Sequence, residues 1–209
     1  MTGRFITLEG GEGVGKSTQS RLLVDALNAR GIDCIATREP GGTPGAEAIR
    51  SLLLDGDGFA PRAEALLFAA ARSDHVERLI RPALERGSWV VCDRFLDSSR
   101  AYQGGAGAIG DDGIMQLHAL GSNGLLPDRT LLFTLPPAEA KARLDARDHG
   151  MSDAIGSRGD AYHDDVARSF ARLAEQEPER FVTIAAGGSP QEVHTEVLRA
   201  IEPLIETLA

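Results

Sequence analysis

A short glycine-rich segment carries the clearest chemical signal in the sequence. It satisfies the pattern G-x-x-x-x-G-K-[ST]. Its glycines let successive backbone N–H groups point into one hollow that suits a phosphate. Lys16 can then reach the terminal phosphates of a nucleotide, while the Ser17 hydroxyl helps to hold Mg²⁺. The members of this phosphate loop are Gly10, Gly11, Glu12, Gly13, Val14, Gly15, Lys16, Ser17 and Thr18.

The loop predicts a nucleotide site but does not name a reaction. The plainer interpretation is a glycine-rich turn with a solvated lysine. A dinucleotide-binding fingerprint fits poorly, because no G-x-G-x-x-G can be placed across these glycines. The only lysines are Lys16 and Lys141, so there is no N-K-x-D segment of the kind that reads guanine in GTPases. A small kinase or a small ATP-dependent, ligase-like enzyme remains.

The elements around the loop predict an α/β domain with a five-stranded parallel sheet flanked by helices. Five short apolar runs are typical of buried parallel strands. They occupy residues 5–9, 34–38, 89–93, 130–135 and 181–184. Segments of helical period lie between them, at residues 16–30, 44–54, 63–72 continuing through 74–86, 113–120, 138–147, 161–176 and 190–208. We expect residues 104–110 to form a loop beside a site, and 148–159 to form a short mobile lid.

Composition limits the possible partners. The 31 Asp and Glu residues outnumber the 22 Lys and Arg residues, so the formal net charge is −9. A nucleic-acid coat needs surplus cations, so we expect no nucleic-acid partner. No apolar run approaches the ~20 residues that span a bilayer, so we expect no membrane partner. Cys34 and Cys92 have no partner at metal or redox spacing, which favours a cytoplasmic location.

Four further segments follow the phosphate loop in order. They are R-E-P-G-G-T at 38–43, F-A-A-A-R at 68–72, D-R at 93–94 and A-Y-Q-G-G at 101–105. Together with the loop they closely resemble the bacterial thymidylate kinase family, over nearly the whole chain. The resemblance implies a P-loop kinase fold in a single domain over residues 1–209, with the lid at about 148–159 inside it.

The same resemblance implies an activity and partners. The family transfers the γ-phosphoryl group of ATP to dTMP, giving dTDP and ADP, and requires Mg²⁺. It also implies a homodimer. The Ala- and Leu-rich predicted helices around 63–71 and 113–120 could form the dimer face, although a buried core face explains them equally well.

An acidic and a basic residue follow the third predicted strand. Asp93, at the carboxyl end of that strand, can hold the metal or its waters together with Ser17. Arg94 suits bidentate binding of the acceptor phosphate. The plainer interpretations are a helix cap for Asp93 and a surface ion pair for Arg94.

By resemblance, four residues contact the thymine ring. Phe68 stacks on it, Arg72 hydrogen-bonds its exocyclic oxygen, and Ser99 and Gln103 lie near the remaining edge. Taken alone, Phe68 would be a core residue, and Arg72 could form a surface ion pair.

Four more residues complete the acceptor pocket by resemblance. Tyr102 lies against the sugar and disfavours a ribose 2′-hydroxyl, and Glu12 approaches the deoxyribose 3′-hydroxyl. Arg38 and Pro40 line the pocket. In their plainer interpretations, Tyr102 simply packs and Glu12 is a solvated loop residue.

Phosphoryl transfer also needs a cation near the migrating group. Some family members place an arginine in the phosphate loop after the acidic residue, but here that position is Gly13. The sequence therefore resembles the type in which lid arginines act, with Arg158 as the first candidate and Arg147 as the second. The lid departs from the family pattern because it is acidic and glycine-rich.

Two rival functions stay open on the residues alone. A kinase for another nucleoside monophosphate or for a deoxynucleoside would share the phosphate loop and the Asp-Arg pair. A nucleotide-dependent switch would hydrolyse ATP slowly without any acceptor.

Overall fold

A five-stranded parallel sheet forms the centre of the protein. The computed structural model describes residues 3–55, 58–107, 109–148, 155, 156 and 158–207, except for the side chains of 145, 147 and 148. The strands are β1 (Phe5–Glu9), β2 (Cys34–Arg38), β3 (Trp89–Asp93), β4 (Arg129–Thr134) and β5 (Phe181–Ala185). Their order is β2-β3-β1-β4-β5, which places β1 at the centre.

Helices cover both faces of this sheet. They are α1 (Lys16–Ala29), α2 (Pro44–Leu54), α3 (Pro61–His75), α4 (Arg81–Glu85), α5 (Leu96–Ser99), α6 (Asp111–Ser122), α7 (Pro137–Asp148), α8 (Asp160–Gln176) and α9 (Pro190–Glu206). A π-helical turn at Val76–Ile80 joins α3 to α4, and a second at Arg100–Gly105 follows α5.

The apolar strands are explained by burial on both sides. In β1, Phe5 packs into the core under α3 and α6, whereas Ile6 and Leu8 pack into the core under α1 and α9. Every residue of β1 is buried. A predominantly apolar run is therefore what this position requires, with Thr7 and Glu9 as buried polar exceptions, and the predicted fold is confirmed.

The register places the functional ends together. Leu8 of β1 pairs with Asp93 of β3, so the segment after β1 leaves the sheet beside the carboxyl end of β3. The connection after β1 leads to β2 on one side of the sheet, whereas the connection after β3 leads to β4 on the other side. Parallel α/β sheets bind ligands at such a point.

Most predicted elements are confirmed within a few residues, and β4 is displaced by one. The helices α5 and Arg100–Gly105 were not predicted, and the expectation of a loop from 104 was wrong for Gly104 and Gly105. Most of the predicted lid, residues 149–154 and 157, lies outside the described residues. None of the described helices is long and apolar enough to cross a membrane.

Candidate active site

A cavity of about 510 Å³ opens at the carboxyl ends of β1 and β3. Most of the sequence-predicted site residues line it. They are Glu12, Gly13, Gly15, Lys16, Ser17, Thr18, Arg38, Pro40, Phe68, Arg72, Asp93, Arg94, Ser99, Tyr102 and Gln103. The structure thus brings together residues from five separate parts of the sequence.

The phosphate loop joins β1 directly to α1. Gly15 precedes the helix in a left-handed conformation, with φ 91°, and leaves the first N–H groups of α1 uncapped by any side chain. Those groups and the helix dipole form the anion site that the loop predicts. Val14 lies in the core beside the loop and fastens it to the sheet.

Lys16 is held inside the loop. Its Nζ donates to the carbonyl oxygens of Gly10, at 3.1 Å, and Gly11. Burial, together with the nearby Arg94 guanidinium, lowers the pKa of Lys16 to about 7. The Lys16 ammonium group is therefore easier to deprotonate than a solvated lysine, and an anionic ligand beside it would favour the charged form.

Gly13 explains why no arginine stands in this loop. Its φ is +72°, a left-handed conformation that side chains rarely adopt. A Cβ here would also lie 2.6 Å from the Ala140 carbonyl oxygen of α7. The close packing of α7 on the loop requires glycine, so a transfer cation must come from another segment.

A hydroxyl and a carboxylate converge beside Lys16. Ser17 Oγ donates to Asp93 Oδ2 at 2.7 Å, across the gap between α1 and β3. These are hard oxygen ligands of the kind that Mg²⁺ prefers, and Mg²⁺ commonly takes only one or two protein ligands. The pair fits the metal that the sequence predicted.

Arg94 links the loop to the other end of the cavity. Its backbone is left-handed, with φ 68°. Its Nη1 donates to Gly10 O at 3.1 Å and to Ser98 Oγ at 3.2 Å. The guanidinium carbon lies 5.1 Å from the centre of the Tyr102 ring. One half-buried cation therefore touches both the phosphate loop and the predicted sugar contact.

A buried network fixes Arg72. Its Nε donates to Glu39 Oε2 at 2.8 Å, and its Nη2 donates to Ser99 Oγ at 2.8 Å and to Phe95 O at 3.1 Å. The same Glu39 carboxylate contacts His75 Nδ1 at 3.1 Å. Since Arg72 is only 3% exposed, it is a rigid donor group in the cavity wall and not a surface ion pair.

The remaining acceptor residues come from β2 and the loop after it, from α3 and from the second π-helical turn. Phe68 is half-buried on α3, one helical turn before Arg72. The backbone carbonyl of Pro40 accepts from Arg50 Nη1 at 2.8 Å, whereas Arg38 pairs with Glu47.

Comparisons with known proteins agree with this geometry. The thymidylate kinase family model matches residues 8–197. The chain belongs to the thymidylate kinase family. A thymidylate kinase from Rhizorhabdus wittichii is 61% identical over 207 residues, covering 98% of this chain and 100% of the relative. One from Synechococcus sp. (strain JA-2-3B'a(2-13)) is 48% identical, covering 95% of this chain and 94% of the relative.

A solved structure supports the same assignment. The crystal structure of thymidylate kinase from Ehrlichia chaffeensis superimposes with a TM-score of 0.77 at 32% identity. The alignment covers 96% of this chain and 100% of that one. The thymidylate kinase fold therefore extends over almost all of the chain.

Within this thymidylate kinase fold, one of the two predicted lid arginines, Arg158, has a described side chain. Arg158 pairs with Glu64 and donates to Tyr162 Oη at 2.8 Å. It is not among the residues that line the cavity, whereas Arg143 of α7 is. The side chain of Arg147 lies outside the described residues.

Sequence reasoning missed several carboxylates that support the site. Glu9 accepts from the Phe95 backbone N–H at 2.8 Å and from Ser98 Oγ at 2.6 Å. Burial, followed by the neighbouring Asp97 carboxylate, raises its pKa to about 7. Glu39 lies inside the quoted R-E-P-G-G-T run, which was a usable signal. Glu9 and Glu64 look in sequence like ordinary residues of a strand and a helix.

Proposed function

We propose that this enzyme transfers the γ-phosphoryl group of ATP to dTMP, giving dTDP and ADP, in the cavity at the ends of β1 and β3. The observation that carries the site assignment is the position of Arg94. Its contacts with Gly10 O and with the Tyr102 ring put one half-buried guanidinium against both the phosphate loop and the acceptor end. An acceptor phosphate bound to Arg94 would therefore lie next to the donor phosphates, as direct transfer requires.

The donor end binds ATP through the phosphate loop. Its backbone N–H groups and the start of α1 hold the phosphates, and Lys16 moves from the loop carbonyls to the phosphate oxygens. Burial lowers the pKa of Lys16 to about 7, and a bound phosphate would favour the charged form of this lysine.

Mg²⁺ would be held by Ser17 and Asp93, which already meet at 2.7 Å. When bound, the ion neutralises charge on the β- and γ-phosphates. Asp93 and Ser17 would supply its protein ligands, and Thr18 lines the same cavity.

The acceptor end binds dTMP. Phe68 stacks on the thymine ring, Arg72 donates to its exocyclic oxygen, and Ser99 and Gln103 meet the remaining edge. The rigidity of Arg72, which three acceptors hold in place, makes this end preorganised for one pattern of donors and acceptors.

Four residues enclose the sugar and the phosphate of dTMP. Tyr102 packs against the sugar and Glu12 approaches the 3′-hydroxyl. Arg38 and Pro40 form the wall contributed by the R-E-P-G-G-T run.

The cation for the migrating phosphoryl group is Arg143 in this proposal. It lines the cavity on α7, the helix that packs against Gly13 of the loop. Arg158 and Arg147 remain the alternatives predicted from the sequence, and alanine variants of all three arginines separate them by turnover.

The proposal extends to the whole molecule. We infer one kinase domain over residues 1–209, a cytoplasmic enzyme and a homodimer. Leu66 on α3 is 55% exposed and Leu120 on α6 is 86% exposed, and these two helices pack against each other. Large exposed apolar side chains on adjacent helices favour a protein interface there.

A coupled ADP-release assay tests the function. Purified enzyme with ATP and Mg²⁺ is given dTMP, dUMP, dCMP, thymidine or no acceptor. Strong turnover with dTMP, none with thymidine and little without acceptor supports the proposal. ATP hydrolysis that no monophosphate changes would instead support a nucleotide-dependent switch, and preference for another monophosphate would reassign the acceptor.

A further inference from the structure

Glu64 joins three separate parts of the chain at the base end of the cavity. It lies in the first turn of α3 and is 5% exposed. Its Oε1 accepts from Gln103 Nε2 at 2.9 Å, and its Oε2 accepts from Arg158 Nη2. Gln103 belongs to the second π-helical turn, and Arg158 precedes α8.

The chemistry of these groups determines which way the Gln103 amide points. An amide offers a donor on one side and an acceptor on the other, while an ionised carboxylate only accepts. Glu64 therefore holds the nitrogen of Gln103. The carbonyl oxygen is left for a ligand, because Gln103 lines the cavity together with Phe68 and Arg72.

This orientation gives the end of the cavity beside Phe68 and Arg72 a defined pattern of hydrogen-bonding groups. Arg72 supplies a donor and the Gln103 carbonyl supplies an acceptor. A thymine ring carries an oxygen acceptor at C4 beside an N–H donor at N3, whereas cytosine carries an amino group at C4 and an unprotonated N3. The pattern therefore complements thymine, and it would oppose cytosine at both atoms.

Arg158 secures the Glu64 carboxylate from the other side. Its guanidinium also donates to Tyr162 Oη at 2.8 Å and lies 4.8 Å from the centre of that ring. Tyr162 Oη in turn donates to the Tyr102 backbone carbonyl at 3.0 Å. Arg158 is thus tied to the same π-helical turn that carries Gln103, and it supplies the positive charge that a buried carboxylate needs.

We propose that Glu64 is a positioning residue for base selection, which fixes the Gln103 amide with its carbonyl toward the base, and that Arg158 supports it. Glu64 has this role only if the acceptor base lies against Phe68 and Arg72, as proposed above. The ligand it selects is a pyrimidine with a protonated ring N3.

The test is base selectivity in the Glu64→Gln variant. Calorimetry on one preparation gives the dissociation constants for dTMP and dCMP, and their ratio is the readout. A hydrogen bond to a charged group corresponds to about ten- to a hundredfold in affinity, so we expect the preference for dTMP to fall by about tenfold or more. Turnover at saturating dTMP should stay within about threefold, because the phosphoryl end is untouched.

Two further variants separate positioning from a structural role. In a Gln103→Leu background, Glu64→Gln should leave the remaining preference unchanged, because there is no amide to orient. The matched control is Glu196→Gln, which removes an exposed Glu–Arg pair on α9 and should change nothing. A preference that is unchanged in folded Glu64→Gln protein, or that falls equally without Gln103, overturns the proposal.

Arg158→Gln keeps the test available if Glu64→Gln fails to fold. Its side chain is 31% exposed, so this variant should fold. The preference for dTMP should then fall by about threefold, and an unchanged preference overturns the proposal.

Phe68→Ala separates a failure of the proposed acceptor site from a failure of the role proposed for Glu64. If Phe68→Ala leaves dTMP affinity unaltered, the acceptor site itself is wrong, whereas a loss there with unchanged selectivity in Glu64→Gln refutes only the role of Glu64.

Discussion

Replacing Asp97 by asparagine should destabilise the protein by about 3 kcal/mol. Asp97 lies on α5 and is fully buried. Its Oδ1 accepts from Arg100 Nη1 at 3.2 Å and from Arg180 Nη2 at 3.0 Å. Its Oδ2 accepts from Arg180 Nη1 at 2.6 Å and from Thr130 Oγ1 at 3.2 Å. The carboxylate thus ties α5 to the segment before β5 and to β4.

The magnitude follows from what an asparagine would leave behind. An asparagine keeps one acceptor oxygen, but its NH₂ group faces Arg100 or Arg180 in place of the other oxygen. Charge-assisted hydrogen bonds are therefore lost inside the protein. Breaking a buried ion pair on one side costs about 3–5 kcal/mol. The lower end applies because Glu177, 29% exposed, still pairs with both Arg100 and Arg180.

Guanidinium unfolding at pH 7, extrapolated linearly to water, measures this loss. Glu202→Gln is the control, since it breaks an exposed pair with Arg30 and should cost less than about 1 kcal/mol. The Michaelis constant for dTMP should also rise in Asp97→Asn, because α5 leads directly into the turn that carries Tyr102 and Gln103. A loss of stability no larger than that of Glu202→Gln would refute the reasoning.

Four further predictions follow from the site and its surroundings. Lys16→Ala should abolish transfer but leave dTMP affinity nearly intact by calorimetry, and a loss as large as that of Arg94→Ala would contradict the separation of the two ends. Arg143→Ala should lower kcat by about a hundredfold or more with a smaller change in ATP affinity, and unchanged turnover would remove it from the mechanism. Glu9 is protonated in the folded protein up to pH about 7 but in the unfolded chain only up to about 4.5, so its contribution to stability is lost as pH rises through this window. Glu9→Gln should therefore remove a pH-dependent loss of up to ~3 kcal/mol in unfolding titrations, and parallel curves for the two proteins would disprove it. Leu120→Glu should convert the proposed dimer to monomer in light scattering, and an unchanged mass would exclude this face.

The sheet and the phosphate loop could be predicted because their signals are local. Strands buried on both faces of a parallel sheet are mostly apolar, as Phe5, Ile6 and Leu8 of β1 and residues 89–92 of β3 are. The loop needs its glycines, lysine and hydroxyl within one short segment of the sequence, because a single backbone loop surrounds the phosphate. The acceptor residues came from the family resemblance and not from spacing alone.

The second π-helical turn could not be predicted, because glycine favours a break in a helix. A Cβ at Gly105 would lie 2.0 Å from Ser169 Oγ of α8, so the tight approach of α8 requires glycine inside this turn. The Asp97 ion cluster, and not helix propensity, holds the preceding short helix α5 in place.

The sequence by itself therefore determined the sheet, the phosphate loop and the class of chemistry. Only the tertiary structure decided which distant groups meet: Arg72 with Glu39, and Glu64 with Gln103 and Arg158. The physical reason is that these pairs form between elements far apart in the chain, where neither periodicity nor composition constrains the partner. Burial then turns such contacts into the charges and hydrogen-bond directions that a substrate meets.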